Sequence, residues 1–155
     1  MQVLEAPSET DRLVVVADYP NVAPEVVFAY WTRPELIRQW WPQEAELDAR
    51  PGGAYALGWP ERNWRLRGWY TRVEPGRTLA FTWQWDSEQD EAEMKAVVAH
   101  FEPLGAAGVG GTGGTRLTLT HGPYTDDDAG REARTEHLDG WQHFLARLGE
   151  ALAGA

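Results

Sequence analysis

The sequence predicts an α+β fold: a curved antiparallel sheet of about seven strands around a long C-terminal helix, with two short helices between strands one and two. Three observations carry this prediction. The last stretch, Asp128 to Ala153, has a single apolar stripe, Leu138, Trp141, Leu145, Leu148 and Leu152, whose spacings alternate three and four. That spacing puts all five on one helix face. Most of the chain before it alternates apolar and polar residues, in segments joined by turn signals. Between the first of these segments and the rest lie two short helical patterns.

Taken in order, Arg12 to Tyr19 holds the β-branched run Leu13-Val14-Val15-Val16, closed by Pro20 and Asn21, and reads as strand one. Pro24 suits a first helical position, with Glu25 in the first turn. Val27, Tyr30 and Trp31 share a face of that helix. Thr32-Arg33-Pro34-Glu35 has the form of a capping box and starts a second short helix carrying Leu36, Ile37, Trp40 and Trp41, which Pro42 ends.

From Ala45 the period becomes that of a strand, with Ala45, Leu47 and Ala49 opposite Glu46, Asp48 and Arg50. Arg50-Pro51-Gly52-Gly53 is a turn. Gly53 to Trp59 is a strand with Tyr55 and Leu57 on one side, Pro60 to Asn63 a loop, and Trp64 to Glu74 a longer strand turned by Pro75-Gly76. Arg77 to Asp86 alternates most clearly, with Leu79, Phe81, Trp83 and Trp85 on one face. An acidic loop, Ser87 to Glu93, precedes the strand Lys95 to Glu102, which places Val97, Ala99 and Phe101 together. Pro103 to Gly114 is a glycine-rich connection. Thr115 to His121 alternates again, Gly122-Pro123 breaks it, and Asp126, Asp127 and Asp128 supply carboxylates to cap the terminal helix. Burying that helix's five stripe residues contributes roughly 8–15 kcal/mol as an upper bound.

The 155 residues are expected to form a single domain, 1–155, with enough chain for a core. No apolar run is long enough to cross a membrane, and Met1 to Ala6 lacks the features of a secretory leader. Cysteine is absent, which excludes disulfides, thiol nucleophiles and cysteine-bound zinc and fits the cytoplasm. A formal charge of −10 opposes binding to nucleic acid or anionic lipid. Arg62, Arg65, Arg67, Arg72 and Arg77 read as an outward sheet face balanced by Asp86, Glu88, Asp90, Glu91 and Glu93.

The order of elements and several local patterns together resemble the SRPBCC superfamily, the START-like helix-grip fold, and within it the Hsp-90 ATPase activator-like branch. The matching stretches are Ala23-Pro24-Glu25-Val26-Val27-Phe28, Thr32-Arg33-Pro34-Glu35-Leu36, Trp40-Trp41-Pro42 and Leu47-Asp48-Ala49-Arg50-Pro51-Gly52-Gly53. Gly68 with Val73-Glu74-Pro75, Leu79-Ala80-Phe81-Thr82-Trp83, Gly114 to His121 and Gly140-Trp141 continue the match. Departures are Arg33, where an acidic residue is usual, and the glycine-rich insert before Gly114. The resemblance implies a cavity between the concave sheet face and the terminal helix.

Gly108-Val109-Gly110-Gly111-Thr112-Gly113 matches a dinucleotide-binding pattern in letters only, because a strand follows it where the motif needs a helix. Asp126, Asp127, Asp128 and Gly130 do not make a calcium loop, since the glycine falls one place early and the closing glutamate is missing. Asp139 and His143, with His137 nearby, read as exposed polar helix residues rather than a metal site. Ser8 and Ser87 are the only serines, both in polar sequence, so acyl-enzyme chemistry is not expected. No catalytic residue, metal or cofactor is expected.

His121 shares the apolar face with Leu117 and Leu119 near a strand end. It reads either as a histidine satisfied by backbone at the rim or as a polar contact or general base facing a ligand. The nine tryptophans are the strongest remaining signal. The expected ligand-binding set is Trp31, Trp41, Tyr55, Trp69, Trp83, Trp85, Phe101, His121, Trp141 and Leu145. The expected partner is a small apolar or amphipathic molecule, lipid, polyketide-like or aromatic. No nucleic acid or membrane insertion is expected, and a homodimer is left open. The alternatives are a cyclase or dehydratase using His121, and a protein-binding module like a co-chaperone.

Overall fold

In a computed structural model, residues 3–7, 11–87, 94–104 and 113–154 are described. One antiparallel sheet of eight strands runs in the order β1-β2-β8-β7-β6-β5-β4-β3. Its strands are β1 (Val3–Ala6), β2 (Leu13–Tyr19), β3 (Glu44–Leu47), β4 (Ala54–Trp59), β5 (Trp64–Glu74), β6 (Thr78–Trp85), β7 (Lys95–Pro103) and β8 (Thr115–Gly122). Two short helices, α1 (Pro24–Thr32) and α2 (Pro34–Ile37), follow β2, and the long helix α3 (Asp128–Ala153) ends the chain. The fold is the one the alternation and the stripe predict.

The helix stripe is the reason the two layers meet. Trp141, Leu145, Leu148 and Leu152 are buried, and Leu138 packs at the edge of the same core. Asp127 caps α3, its carboxylate accepting from the Gly130 N–H at 2.7 Å. At the far end of the contact, the Tyr19 hydroxyl donates to the Leu145 carbonyl across 2.9 Å. On the sheet the inward residues follow strand parity. Leu13, Val15, Ala17 and Tyr19 of β2 are buried, as are Leu117, Leu119 and His121 of β8. Trp141 meets both expected partners: its ring centroid is 5.7 Å from Trp83 and its indole N–H donates to His121 Nδ1 at 3.0 Å.

Four local expectations need correcting. The extra strand β1 pairs with β2, Val3 opposite Ala17, although its four residues have no alternation to announce it. It is held from outside, by an ion pair of 3.0 Å between Glu5 and Arg134 of α3. The capping box does not form: Thr32 is the last residue of α1 and donates to the Phe28 carbonyl, and Arg33 caps α2 without its side chain. Helix α2 stops at Ile37, so Trp40 and Trp41 come from the turn that follows. Trp69 faces outward and is 45% exposed. On β5 the inward positions are Leu66 and Tyr70, and a register shift between Tyr70 and Arg72 changes the parity, so Trp69 does not share the face of Val73.

The exposed arginines behave as an outward face. Arg67 pairs with Asp86 at 3.0 Å and Arg72 with Glu74 at 3.1 Å. The acidic residues expected at 88–93 and most of the glycine-rich connection, with its dinucleotide-like pattern, lie outside the described residues. Gly68 has a steric role: a Cβ there would lie 2.3 Å from Thr82 Oγ1 and 3.0 Å from the Tyr55 ring. Its bare backbone lets Tyr55 reach across β5 to donate its hydroxyl to the Thr82 carbonyl.

Leu148 is fully buried in the helix–sheet contact. Leu148→Ala is therefore expected to lower the unfolding free energy by about 2–5 kcal/mol in denaturant melts. A loss near zero would show that α3 does not hold the sheet.

Candidate functional site

The middle of the space between sheet and helix is filled with rings. Trp31 and Trp40 are buried, their centroids 4.8 Å apart. Trp31 also packs on Phe101 at 6.3 Å and stacks on Trp141 at 5.9 Å. Each ring buries a large area and prefers edge or offset contacts, so such a cluster packs without a central void. Two of the indoles find backbone acceptors: Trp40 donates to the Tyr30 carbonyl at 2.8 Å and Trp59 to the Trp41 carbonyl at 2.9 Å. The gap left among Trp31, Tyr55, Leu57 and Phe81 is only about 10 Å³.

The open space lies at one end instead. A cleft of about 1020 Å³ separates the middle of α3 from the turn joining β4 to β5 and from the end of β6. Trp41 and Trp141 reach it from the core, Trp83 and Trp85 from β6, and Trp59 and Trp64 from the two sides of the turn. Phe144 closes it on the helix side. The turn is possible because Asn63 takes a left-handed conformation, φ 54°, which asparagine tolerates better than most residues. It brings Trp59 opposite Trp64 in the β4–β5 register.

The rim is charged and divided. Arg62 and Arg65 stand on the sheet side, and Glu136 and Asp139 on the helix side. Arg62 lies over the Trp64 ring, 5.0 Å from its centroid. Asp86, also on the rim, is held by Arg67.

Beneath the cleft lies a polar cluster. His121 is fully buried; its Nδ1 accepts from Trp141, so its proton sits on Nε2, which meets no acceptor among the described residues. His137 stacks on His121 at 4.4 Å and 7°, and its Nδ1 shares a hydrogen bond of 2.8 Å with the Tyr124 hydroxyl. Burial holds both imidazoles neutral. It pushes His121 well below its ordinary value, helped by the charges that His137 and Lys95 would place beside it. It brings His137 down to about 4, with Lys95 adding to the effect. Lys95 itself lies over the Tyr124 ring at 5.4 Å.

Of the residues expected to bind a ligand, the structure brings Trp41, Trp83, Trp85 and Trp141 together at the cleft. Trp31, Phe101 and Leu145 sit in the packed core, Tyr55 borders the small void, and His121 lies behind Trp83, with ring centroids 4.5 Å apart. Trp69 is on the opposite face of the sheet. His137 is not the exposed helix residue its sequence context suggests: it is partly buried and paired, because it lies one turn before Trp141 on the same helix flank. Phe144, at three places after Trp141, belongs to the same signal, while Trp59 and Trp64 flank a recognisable turn. Among the described residues no group of three or more His, Asp or Glu is placed to hold a metal ion, and no helix is long and apolar enough to cross a membrane.

An antiparallel sheet wrapped on a C-terminal helix, with a cleft between them, defines an SRPBCC-type domain. Residues 21–153 match the family described as activator of Hsp90 ATPase homolog 1-like protein, and the chain belongs to that family. Among curated proteins none matches. Solved structures share the fold. Protein MLL2253 from Mesorhizobium loti is 24% identical with a TM-score of 0.74, over 92% of this chain and 98% of its own. A Rhodobacter sphaeroides protein is 20% identical with a TM-score of 0.77, over the whole of both chains. DynU16, described as a protein in the dynemicin biosynthetic locus, is 19% identical with a TM-score of 0.74; the match covers 95% of this chain and 48% of DynU16.

The buried imidazoles make stability depend on pH. Unfolded, His137 ionises near its ordinary 6.5; folded, only near 4. Between those values the unfolded chain holds more protons, so stability rises with pH. The contribution is complete above about pH 6.5 and is lost as pH falls through about 4. Wild type should lose on the order of 1–3 kcal/mol more than His137→Phe over that interval in denaturant melts. Equal losses would contradict the neutral, buried state.

Proposed function

We propose that this protein binds a small apolar or amphipathic molecule in the end cleft. The observation that carries the proposal is the cleft itself: about 1020 Å³, walled by six tryptophans and a phenylalanine and rimmed by charge. That is the size and composition of a small-molecule site, and the flat indole faces offer contact area at little entropic cost. Trp41, Trp83, Trp85 and Trp141 remain in the binding set, joined by Trp59, Trp64 and Phe144. Trp31, Tyr55, Phe101 and Leu145 are assigned to the core that supports it. The divided rim suits a ligand with a polar end at the mouth and its apolar body inside. Family membership supports a ligand cavity of this kind, and the filled middle moves it to one end.

Gly140 offers a direct test. It lies mid-helix on the cleft wall, and a Cβ built there meets nothing within 4 Å. Gly140→Leu should therefore project a side chain into the cleft without disturbing its walls, and the gain in helix propensity should keep the unfolding free energy equal or raise it by up to about 1 kcal/mol. Titration of wild type with a dodecanoate and with a tricyclic aromatic acid should change tryptophan fluorescence saturably for at least one of them. Gly140→Leu should weaken that binding tenfold or more. Absence of saturable binding, or binding untouched by Gly140→Leu, would overturn the assignment.

A further inference from the structure

His137 is a polar group of the cleft wall that the fold uses on one side only. His137 borders the cleft, and its Nδ1 is engaged by the Tyr124 hydroxyl at 2.8 Å. Burial holds the phenol in its protonated form. A phenol O–H is the better donor of the pair and an imidazole nitrogen the better acceptor, so Tyr124 donates and Nδ1 accepts. A neutral ring that accepts at Nδ1 carries its proton on Nε2. That Nε2–H has no protein partner among the described residues and, unlike Nε2 of His121, is not sealed from solvent. The ring cannot turn freely, because it is stacked on His121 at 4.4 Å and set edgewise to Trp83 at 5.4 Å.

We infer that His137 is the specificity-determining donor of the cleft, and that the ligand is a flat ring system bearing a neutral carbonyl oxygen that accepts the Nε2–H. The inference rests on the binding function proposed above and names its chemistry. A saturated chain gives the donor no acceptor. An ammonium group has none to give and would face an N–H. A carboxylate is costly among the tryptophans and is better held at the mouth by Arg62 and Arg65. A carbonyl pairs this donor without bringing charge inside. Tyr124 is the positioning residue: it holds the tautomer.

Two soluble probes of matched shape and charge test this, 9-fluorenone-2-carboxylate and 9H-fluorene-2-carboxylate, measured by equilibrium dialysis. Wild type should bind the ketone on the order of fivefold more tightly, the worth of one neutral hydrogen bond. His137→Phe keeps a ring of similar size. It should bring the ratio to about one, as expected when only a hydrogen bond is lost. Equal wild-type affinities, or a ratio that survives in His137→Phe, would overturn the inference while leaving a binding cleft. Failure of both probes to bind would overturn the binding function and this inference together. Two-bond ¹H–¹⁵N spectra of the unliganded protein give an independent reading that needs no variant to fold. They should show His137 Nδ1 unprotonated and Nε2 protonated, and the reverse pattern would overturn the inference.

Discussion

The hydrogen bond from the Trp141 indole to His121 Nδ1 ties the two layers together. Both residues are buried, and the bond is 3.0 Å long. Losing either partner would leave the other polar group buried without a partner, which costs more than the bond itself contributes. The bond locks the rotation of α3 about its axis at one point on β8. Helical spacing then determines what else can touch the sheet. Four residues earlier, His137 must lie on His121; four later, Leu145 must lie on the floor near Tyr19. Three residues later, Phe144 is carried to the flank that borders the cleft. The bond thus places the core, the polar cluster and the cleft wall.

Much of the fold was legible because its signals are periodic. The stripe of α3 and the parity of β2, β6 and β8 each need only a count of residues. The features that escaped are those in which local and tertiary preferences disagree. Val3–Ala6 is too short to show a period and is a strand because β2 and Arg134 receive it. Thr32-Arg33-Pro34-Glu35 has the letters of a capping box, but α1 runs on to consume Thr32. Trp69 is large and aromatic, yet it lies out of step with the inward positions Leu66 and Tyr70 and so faces outward, where size alone says nothing about direction.

The site was harder to read than the fold, for a related reason. An apolar residue on an inward face can be wall or filling, and sequence parity does not distinguish them. Trp31 and Trp83 are equivalent by that test. They differ because Trp31 sits where α1 and the turn after α2 deliver Trp40 and Trp41 as well, leaving about 10 Å³ nearby. Trp83 sits beyond the reach of those elements, at the end of β6. His137 differs from its exposed-looking context because its Nδ1 has a partner outside the helix, the hydroxyl of Tyr124, which no count along α3 reveals. The result is a domain whose centre between sheet and helix is packed and whose cleft lies at the β4–β5 turn.

The most direct test of this division uses the tryptophans themselves. With 5-fluorotryptophan incorporated, the nine indoles give nine assignable ¹⁹F resonances. On titration with the tricyclic aromatic acid, those of Trp41, Trp59, Trp64, Trp83, Trp85 and Trp141 should shift saturably with a common dissociation constant. Those of Trp31, Trp40 and the outward-facing Trp69 should stay in place. Shifts of Trp31 and Trp40 as large as those of Trp64 and Trp85 would put the ligand in the middle of the fold and contradict the account.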